Sequence, residues 1–139
     1  MQDDDRAIRN LVASYCHAIA EKDDKAWADT WAEDAEWVLL GQTVRGREAI
    51  FAHYKRLVSG VRWVVQLATD GIIELQGERA SGRWQVLEFL QGAGGAGGQN
   101  IARYRDGYVR CSDGRWRFER RELFVTFFGP ADLNDPKRG

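Results

Sequence analysis

The chain has 139 residues and 15.8 kDa, is 44% hydrophobic and carries 6 Trp, 4 Tyr and 6 Phe, which suits one domain with one core and excludes a multidomain or intrinsically disordered reading. With 20 basic against 21 acidic residues the net charge is −1, so no global field holds nucleic acid or an anionic membrane. Two His and two Cys without CxxC spacing supply no framework for a structural zinc site or a disulfide, and they fit reduced thiols in a cytoplasm. The N-terminus Met1-Gln2-Asp3-Asp4-Asp5-Arg6 is acidic and lacks the apolar core of a signal peptide, and no run approaches the roughly 18 apolar residues of a membrane span. The expectation is a single cytoplasmic domain over 1–139, with flexible termini at about 1–4 and 130–139.

In chain order, Ile8, Leu11, Val12, Tyr15 and Ile19 follow an Asp-rich start at the spacing of one helical face, predicting a helix over 4–21. A second helix is predicted from Asp24 to Trp31, with Trp27 and Trp31 on one face. Residues 35–39 turn extended, Gly41 and Gly46 bracket a turn, and Arg47 to Ser59 returns to helical period through Ile50, Phe51, Tyr54, Leu57 and Val58. From Gly60 the pattern changes to strands. Two segments, 61–68 and 71–75, are rich in β-branched residues, and long strands follow over 79–90, 100–111 and 116–128, the last two joined by the turn Ser112-Asp113-Gly114.

The Gly-rich stretch 92–98 has no Lys, Ser or Thr and no following helix, so it reads as a flexible hairpin loop rather than a phosphate cradle. Helices first and long antiparallel strands after define an α+β domain, a curved sheet wrapped on N-terminal helices with room for a pocket.

Several segments carry a resemblance in order and spacing: Ile8-Arg9-Asn10-Leu11-Val12-Ala13-Ser14-Tyr15, Trp31-Ala32-Glu33-Asp34-Ala35-Glu36-Trp37, Arg45-Gly46-Arg47-Glu48-Ala49-Ile50, Ala80-Ser81-Gly82-Arg83-Trp84, and Arg103-Tyr104-Arg105-Asp106-Gly107-Tyr108 with Asp113-Gly114-Arg115-Trp116-Arg117-Phe118. From about Asp5 to Phe128 the chain resembles the SnoaL-like branch of the nuclear transport factor 2-like superfamily. That resemblance implies an α+β cone with a deep cavity. It also implies chemistry of the scytalone dehydratase, bile acid dehydratase and hexachlorocyclohexane dehydrochlorinase types, which need no cofactor and no metal. Such enzymes pair an Asp near the end of the first helix with a His on the strand after the third. The resemblance puts Ala20 and Gln66 at those two positions, so the dyad is missing. His17 lies about 200° around the helix from the apolar face, and His53 sits beside the apolar stripe of its helix, so both read as solvated.

Strand alternation places Trp84, Val86 and Glu88 on one face, and the dehydratase resemblance turns that face inward with Glu88 where bile acid enzymes keep an acid. A carboxylate in an aromatic pocket acts as general acid or base; a Glu88 in solvent or in a structural ion pair is the competing reading. Ala102, Tyr104 and Asp106 share a face, as do Glu119, Arg121, Leu123 and Val125. The resemblance turns Tyr104 and Arg121 inward. Arg121 then stands beside Glu88, binds a substrate oxygen, or closes the cavity in a structural pair. Tyr15 matches a cavity tyrosine of the dehydratases, or is a core aromatic with its hydroxyl satisfied.

The catalytic candidates are thus Glu88, Tyr15 and Arg121, and the substrate-binding candidates Trp37, Gln66, Val86, Tyr104 and Val125. Trp63 and Trp84 belong to the cavity, the core or the outer sheet face. The seven arginines between positions 103 and 121, interleaved with Asp106, Asp113 and Glu119, read as a salt-bridged sheet face or a dimer contact.

The function expected is a cofactor-independent lyase, isomerase or cyclase working by acid/base chemistry on a hydrophobic cyclic small molecule. The alternatives are a non-catalytic binding protein with the same cavity and a small structural subunit of a ring-hydroxylating oxygenase. Expected partners are the hydrophobic ligand and further copies of the chain, in a dimer or trimer through the outer sheet face, with no nucleic acid and no membrane.

Overall fold

A computed structural model describes residues 3–131. Helix α1 (Asp4–Glu21) begins where the Asp3 side chain accepts the Arg6 N–H, with Asp4 and Asp5 at the positive end of the helix dipole. It ends where Lys22 turns left-handed at φ 57 and donates its N–H to the Ala18 and Ile19 carbonyls. The predicted stripe is the buried one: Ile8, Leu11, Val12, Tyr15 and Ile19 all face the core. Helix α2 (Asp24–Asp29) is a single short piece capped by Asp23. Strands β1 (Trp31–Leu39) and β2 (Gln42–Arg45), helix α3 (Arg47–Val58), and strands β3 (Val61–Gln76), β4 (Arg79–Gly92), β5 (Gly97–Arg110) and β6 (Trp116–Ala131) follow.

The six strands form one curved, unclosed, mixed sheet in the order β2-β1-β6-β5-β4-β3, with β1 and β6 parallel and every other pair antiparallel. The expected α+β cone is the observed architecture, with the helices packed on the concave side.

Several boundaries differ from expectation. Trp31 opens β1 instead of closing α2, because the Phe118 N–H donates to the Thr30 carbonyl and draws this segment into the sheet against β6. Trp27 and Trp31 still meet, with ring centroids 5.8 Å apart, since the strand starts under the helix. The stretch between Gly41 and Gly46 is not only a turn, because β2 pairs there with β1. The segments 61–68 and 71–75 are one strand with a bulge, where Asp70 adopts φ 54. At Gly71 a Cβ would lie 2.4 Å from the Trp84 ring, so a side chain there would collide with a rigid aromatic. The Gly-rich stretch is a hairpin connection as expected, but shorter: residues 93–96 turn between β4 and β5, while Gly92, Gly97 and Gly98 belong to the strands. At the termini, Asp4 is helical and β6 runs to Ala131; the rest of the ends expected to be flexible, residues 1–2 and 132–139, lies outside the described range.

Two register shifts on β6 decide what faces inward. An extra residue at Glu119 puts Phe118 opposite Tyr108 and Arg121 opposite Asp106, so Glu119 leaves the face assigned to it and pairs with Arg79 at 3.1 Å. A second shift, between Ile101 and Ala102, sets Val125 opposite Ala102 and Phe128 opposite Asn100. Nor are the β5–β6 arginines uniformly solvated: Arg117 and Arg121 are buried.

Along the strands the interior changes character. One end is filled by Trp27, Trp31, Tyr108 and Phe118, all fully buried, with Trp27 stacked on Tyr54 at 3.9 Å. Trp84 belongs to this inner side, where its indole N–H donates to the Tyr108 hydroxyl at 2.9 Å. On the outer face Leu67, Leu87, Ile101 and Phe127 form one cross-strand row over four strands, exposed by 51, 37, 42 and 47%.

Candidate active site

Beyond the aromatic plug the sheet curls away from α1 and α3 and encloses a cavity of about 360 Å³. Its wall is mostly apolar and carries one polar row. Gln66 on β3, Glu88 on β4 and Asn100 on β5 are direct cross-strand partners whose side chains line the same space. The Gln66 Nε2–H donates to Glu88 Oε2 at 2.9 Å, and Asn100 hydrogen-bonds to the same carboxylate. On its other side the Gln66 amide is held by Cys16, whose thiol donates to Oε1 at 3.8 Å. Burial pushes the Cys16 thiol up, against the pull of Arg121, which keeps it a donor. The amide is thereby oriented with its NH₂ toward Glu88.

Burial raises the Glu88 carboxyl above its ordinary value of 4.5, outweighing the hydrogen bonds from Gln66 and Asn100 that favour the anion. Its hydrogen-bond partners are two neutral amides, and among the described residues no cation pairs with it.

A second polar group faces the cavity from β5. The Tyr104 oxygen accepts the Trp37 indole N–H at 3.3 Å and the Tyr15 hydroxyl proton, which leaves its own proton for an acceptor in the cavity. Burial pushes the Tyr104 phenol up, while the Arg121 cation works in the opposite direction. The guanidinium of Arg121 lies 3.8 Å from the Tyr104 ring centroid, 4.3 Å from that of Phe118 and 4.6 Å from that of Tyr15.

Arg121 does not stand beside Glu88. It is fully buried beneath the cavity floor and grips Asp106 with two bonds, Nε to Oδ1 at 2.8 Å and Nη2 to Oδ2 at 3.2 Å. The Tyr108 hydroxyl donates to Asp106 Oδ2 at 2.7 Å, completing that carboxylate's shell. Burial opposes the Arg121 charge, but Asp106, with Tyr104 and Tyr15, outweighs it and holds the guanidinium above its ordinary value. The inward turn expected of Arg121 is real; its partner is Asp106 because the extra residue at Glu119 sets Arg121 opposite Asp106.

The structure thus brings Tyr15, Trp37, Gln66, Glu88, Tyr104 and Val125 onto one cavity wall. Val86 shares the inward face of β4 but is packed in the core between Ala68 and Ala102, outside the cavity lining. Sequence reasoning missed Asn100 and Tyr54. Asn100 has the same strand parity as Ala102 and Tyr104, which is the signal that would have found it. Tyr54, read as part of a core stripe, lines the cavity as well, and burial with Asp24 and Glu88 nearby pushes its phenol up to about 12.

Of the two histidines, His17 is exposed, and His53 packs edge-on to Trp37 at 5.8 Å between ring centroids. Ala20 is exposed on α1 and borders a shallow outer groove against β3. Among the described residues no three His, Cys, Asp or Glu side chains converge as metal ligands, and no helix is long and apolar enough to cross a membrane.

A curved sheet closed by N-terminal helices over an internal cavity, with an acid and a phenol on its wall, defines a cone of the nuclear transport factor 2-like class. Within that class the chain belongs to the SnoaL-like domain family, whose model matches residues 2–122. Among solved structures it is similar to a candidate scytalone dehydratase from Novosphingobium aromaticivorans, at 22% identity and a TM-score of 0.85 over 94% of this chain and 89% of that one. A hexachlorocyclohexane dehydrochlorinase of type 2 is similar at 22% identity and a TM-score of 0.85, over 98% and 95% of the two chains. A protein of unknown function from Mycobacterium tuberculosis is 30% identical with a TM-score of 0.77, over 88% and 76%. No curated protein matches the sequence.

Proposed function

We propose that the protein is an acid/base enzyme of the lyase, isomerase or cyclase type acting on a hydrophobic cyclic small molecule held in the cavity. One observation carries this reading: a partly buried carboxylate with a raised pKa and a phenol whose oxygen already accepts two hydrogen bonds line the same apolar space. Glu88, as the anion, takes a proton from carbon, and the Tyr104 hydroxyl donates to the substrate oxygen that gains charge or departs. Tyr15 and Trp37 hold the phenol in place, the apolar wall keeps water from competing, and Arg121 supports Tyr104 from below. The neighbouring dehydratase and dehydrochlorinase folds are consistent with this chemistry. The cavity is neither filled nor wholly apolar, which favours catalysis over a structural subunit or a passive carrier.

The test begins with native mass spectrometry of the purified protein to identify a co-purified compound, followed by its turnover across pH. Since Glu88 must be ionised to act as base and its pKa is raised, kcat/KM is expected to rise with pH along a limb centred above 4.5. A profile that is flat from pH 4 to 8 would remove Glu88 from the chemistry.

The exposed outer row from Leu67 to Phe127 supports a companion proposal, association of further copies through this face. Sedimentation is expected to give two or three times the 15.8 kDa chain mass, and a monomer at micromolar concentration would refute it.

A further inference from the structure

We infer that Gln66, Glu88 and Asn100 together form a recognition edge for two carbonyl oxygens flanking an acidic X–H group, so that the ligand class is a 1,3-dicarbonyl compound or its cyclic imide analogue. The inference rests on the function proposed above and specifies which substrates that site takes.

The argument starts from hydrogen-bond inventory. Each primary amide has two N–H donors. Gln66 commits one to Glu88 and Asn100 commits one to the same carboxylate. Among the described residues no acceptor meets the second N–H of either, although both side chains are more than nine-tenths buried and line the cavity.

The Gln66 orientation is fixed from behind by Cys16, so its free N–H stays on the Glu88 side. Across the three strands the wall therefore reads donor, acceptor, donor, at the spacing of adjacent strands drawn together by the two bonds to Glu88. Its complement is acceptor, donor, acceptor: two carbonyl oxygens with an X–H between them.

This pattern also matches the chemistry. When X is carbon, Glu88 takes the proton, the C–H electron pair spreads over both carbonyls as an enolate, and each oxygen receives one amide N–H as its charge grows. A second carbonyl makes such a C–H acidic enough for a carboxylate base. The proton on Glu88 is then available to the leaving group or to a second carbon. A ligand with a single carbonyl would leave one buried N–H without a partner, which a polar site penalises strongly.

The test is binding, independent of turnover. A phenyl-substituted glutarimide presents the expected edge in a neutral, unreactive form; its N-methyl derivative lacks the central donor, and the corresponding lactam lacks one carbonyl. By calorimetry on the full chain the imide is expected to bind at least about tenfold tighter than either relative, and Gln66→Leu or Asn100→Leu to erase that preference. Equal affinity for imide and N-methyl imide would overturn the inference, as would a preference that survives both substitutions or an imide that fails to bind at millimolar concentration. The preference among these probes does not depend on Glu88 acting as a catalyst, so its failure and a failure of the proposed activity are separable.

Discussion

Glu88→Gln is expected to lower turnover by about 10²–10⁴-fold while the folded protein still binds its ligand. The substitution keeps the shape of the side chain and removes the only carboxylate that the described residues place on the cavity wall. The new amide also fits the wall. Gln66 can still donate to the new carbonyl oxygen. On the other side Asn100 Oδ1, buried and without a hydrogen-bond partner in the present arrangement, accepts the introduced N–H once its amide turns over.

Stability should respond with a definite sign. A carboxyl whose folded pKa is raised is harder to ionise in the native state, so the wild-type protein loses stability as pH climbs from the ordinary glutamate value through the folded one. The Gln variant lacks this loss, and its Tm at neutral pH is expected to equal or exceed that of the wild type. Wild-type turnover in Glu88→Gln, measured on the compound identified by mass spectrometry, would show that the carboxylate is not the base.

Asp106→Ala should have the largest effect on stability, about 3–5 kcal/mol, because it leaves Arg121 as an uncompensated cation with no solvent exposure. For a domain of this size that corresponds to a fall in Tm of roughly 10–20 °C by thermal denaturation. The damage spreads beyond one pair. Asp106 also accepts the Tyr108 hydroxyl, which in turn accepts the Trp84 indole N–H, and Arg121 underlies the Tyr104 ring. The double variant Asp106→Leu with Arg121→Met removes both charges and should recover most of the loss, since a buried pair contributes little over well-packed apolar residues. A single Asp106→Ala variant with an unchanged Tm would mean that Arg121 finds another partner or reaches water.

Where hydrophobic periodicity was strong, the fold was legible from the chain. The stripe through Ile8, Leu11, Val12, Tyr15 and Ile19 and the alternation through Trp84, Val86 and Glu88 follow directly from 3.6- and 2-residue repeats. What alternation cannot register is an inserted residue. Nor does it fix position along the strand: Arg121 stands opposite Asp106, whereas Glu88 stands opposite Asn100, six residues away along β5, and the shift near Thr126 brought Phe128 rather than Phe127 inward. Trp31 was misread because a tryptophan four residues after another suits a helix locally, while the hydrogen bond that makes it a strand comes from Phe118, far along the chain. Asn100 escaped notice for a different reason: a lone amide has no distinctive sequence context, and its role depends on standing opposite Glu88 across two strands.

The polar row inside the cone and the apolar row outside it occupy alternate residues of the same strands: Gln66 beside Leu67, Glu88 beside Leu87, Asn100 beside Ile101. A slip of one residue in strand pairing would exchange the two, lining the pocket with aliphatic side chains and presenting a carboxylate and two amides to solvent. The bulges that interrupt β3 and β6 resist such a slip, because each fits only one pairing. The chemistry proposed within the cone and the association proposed on its surface therefore both depend on one event, the choice of register, and a misregistered chain would be expected to lose both.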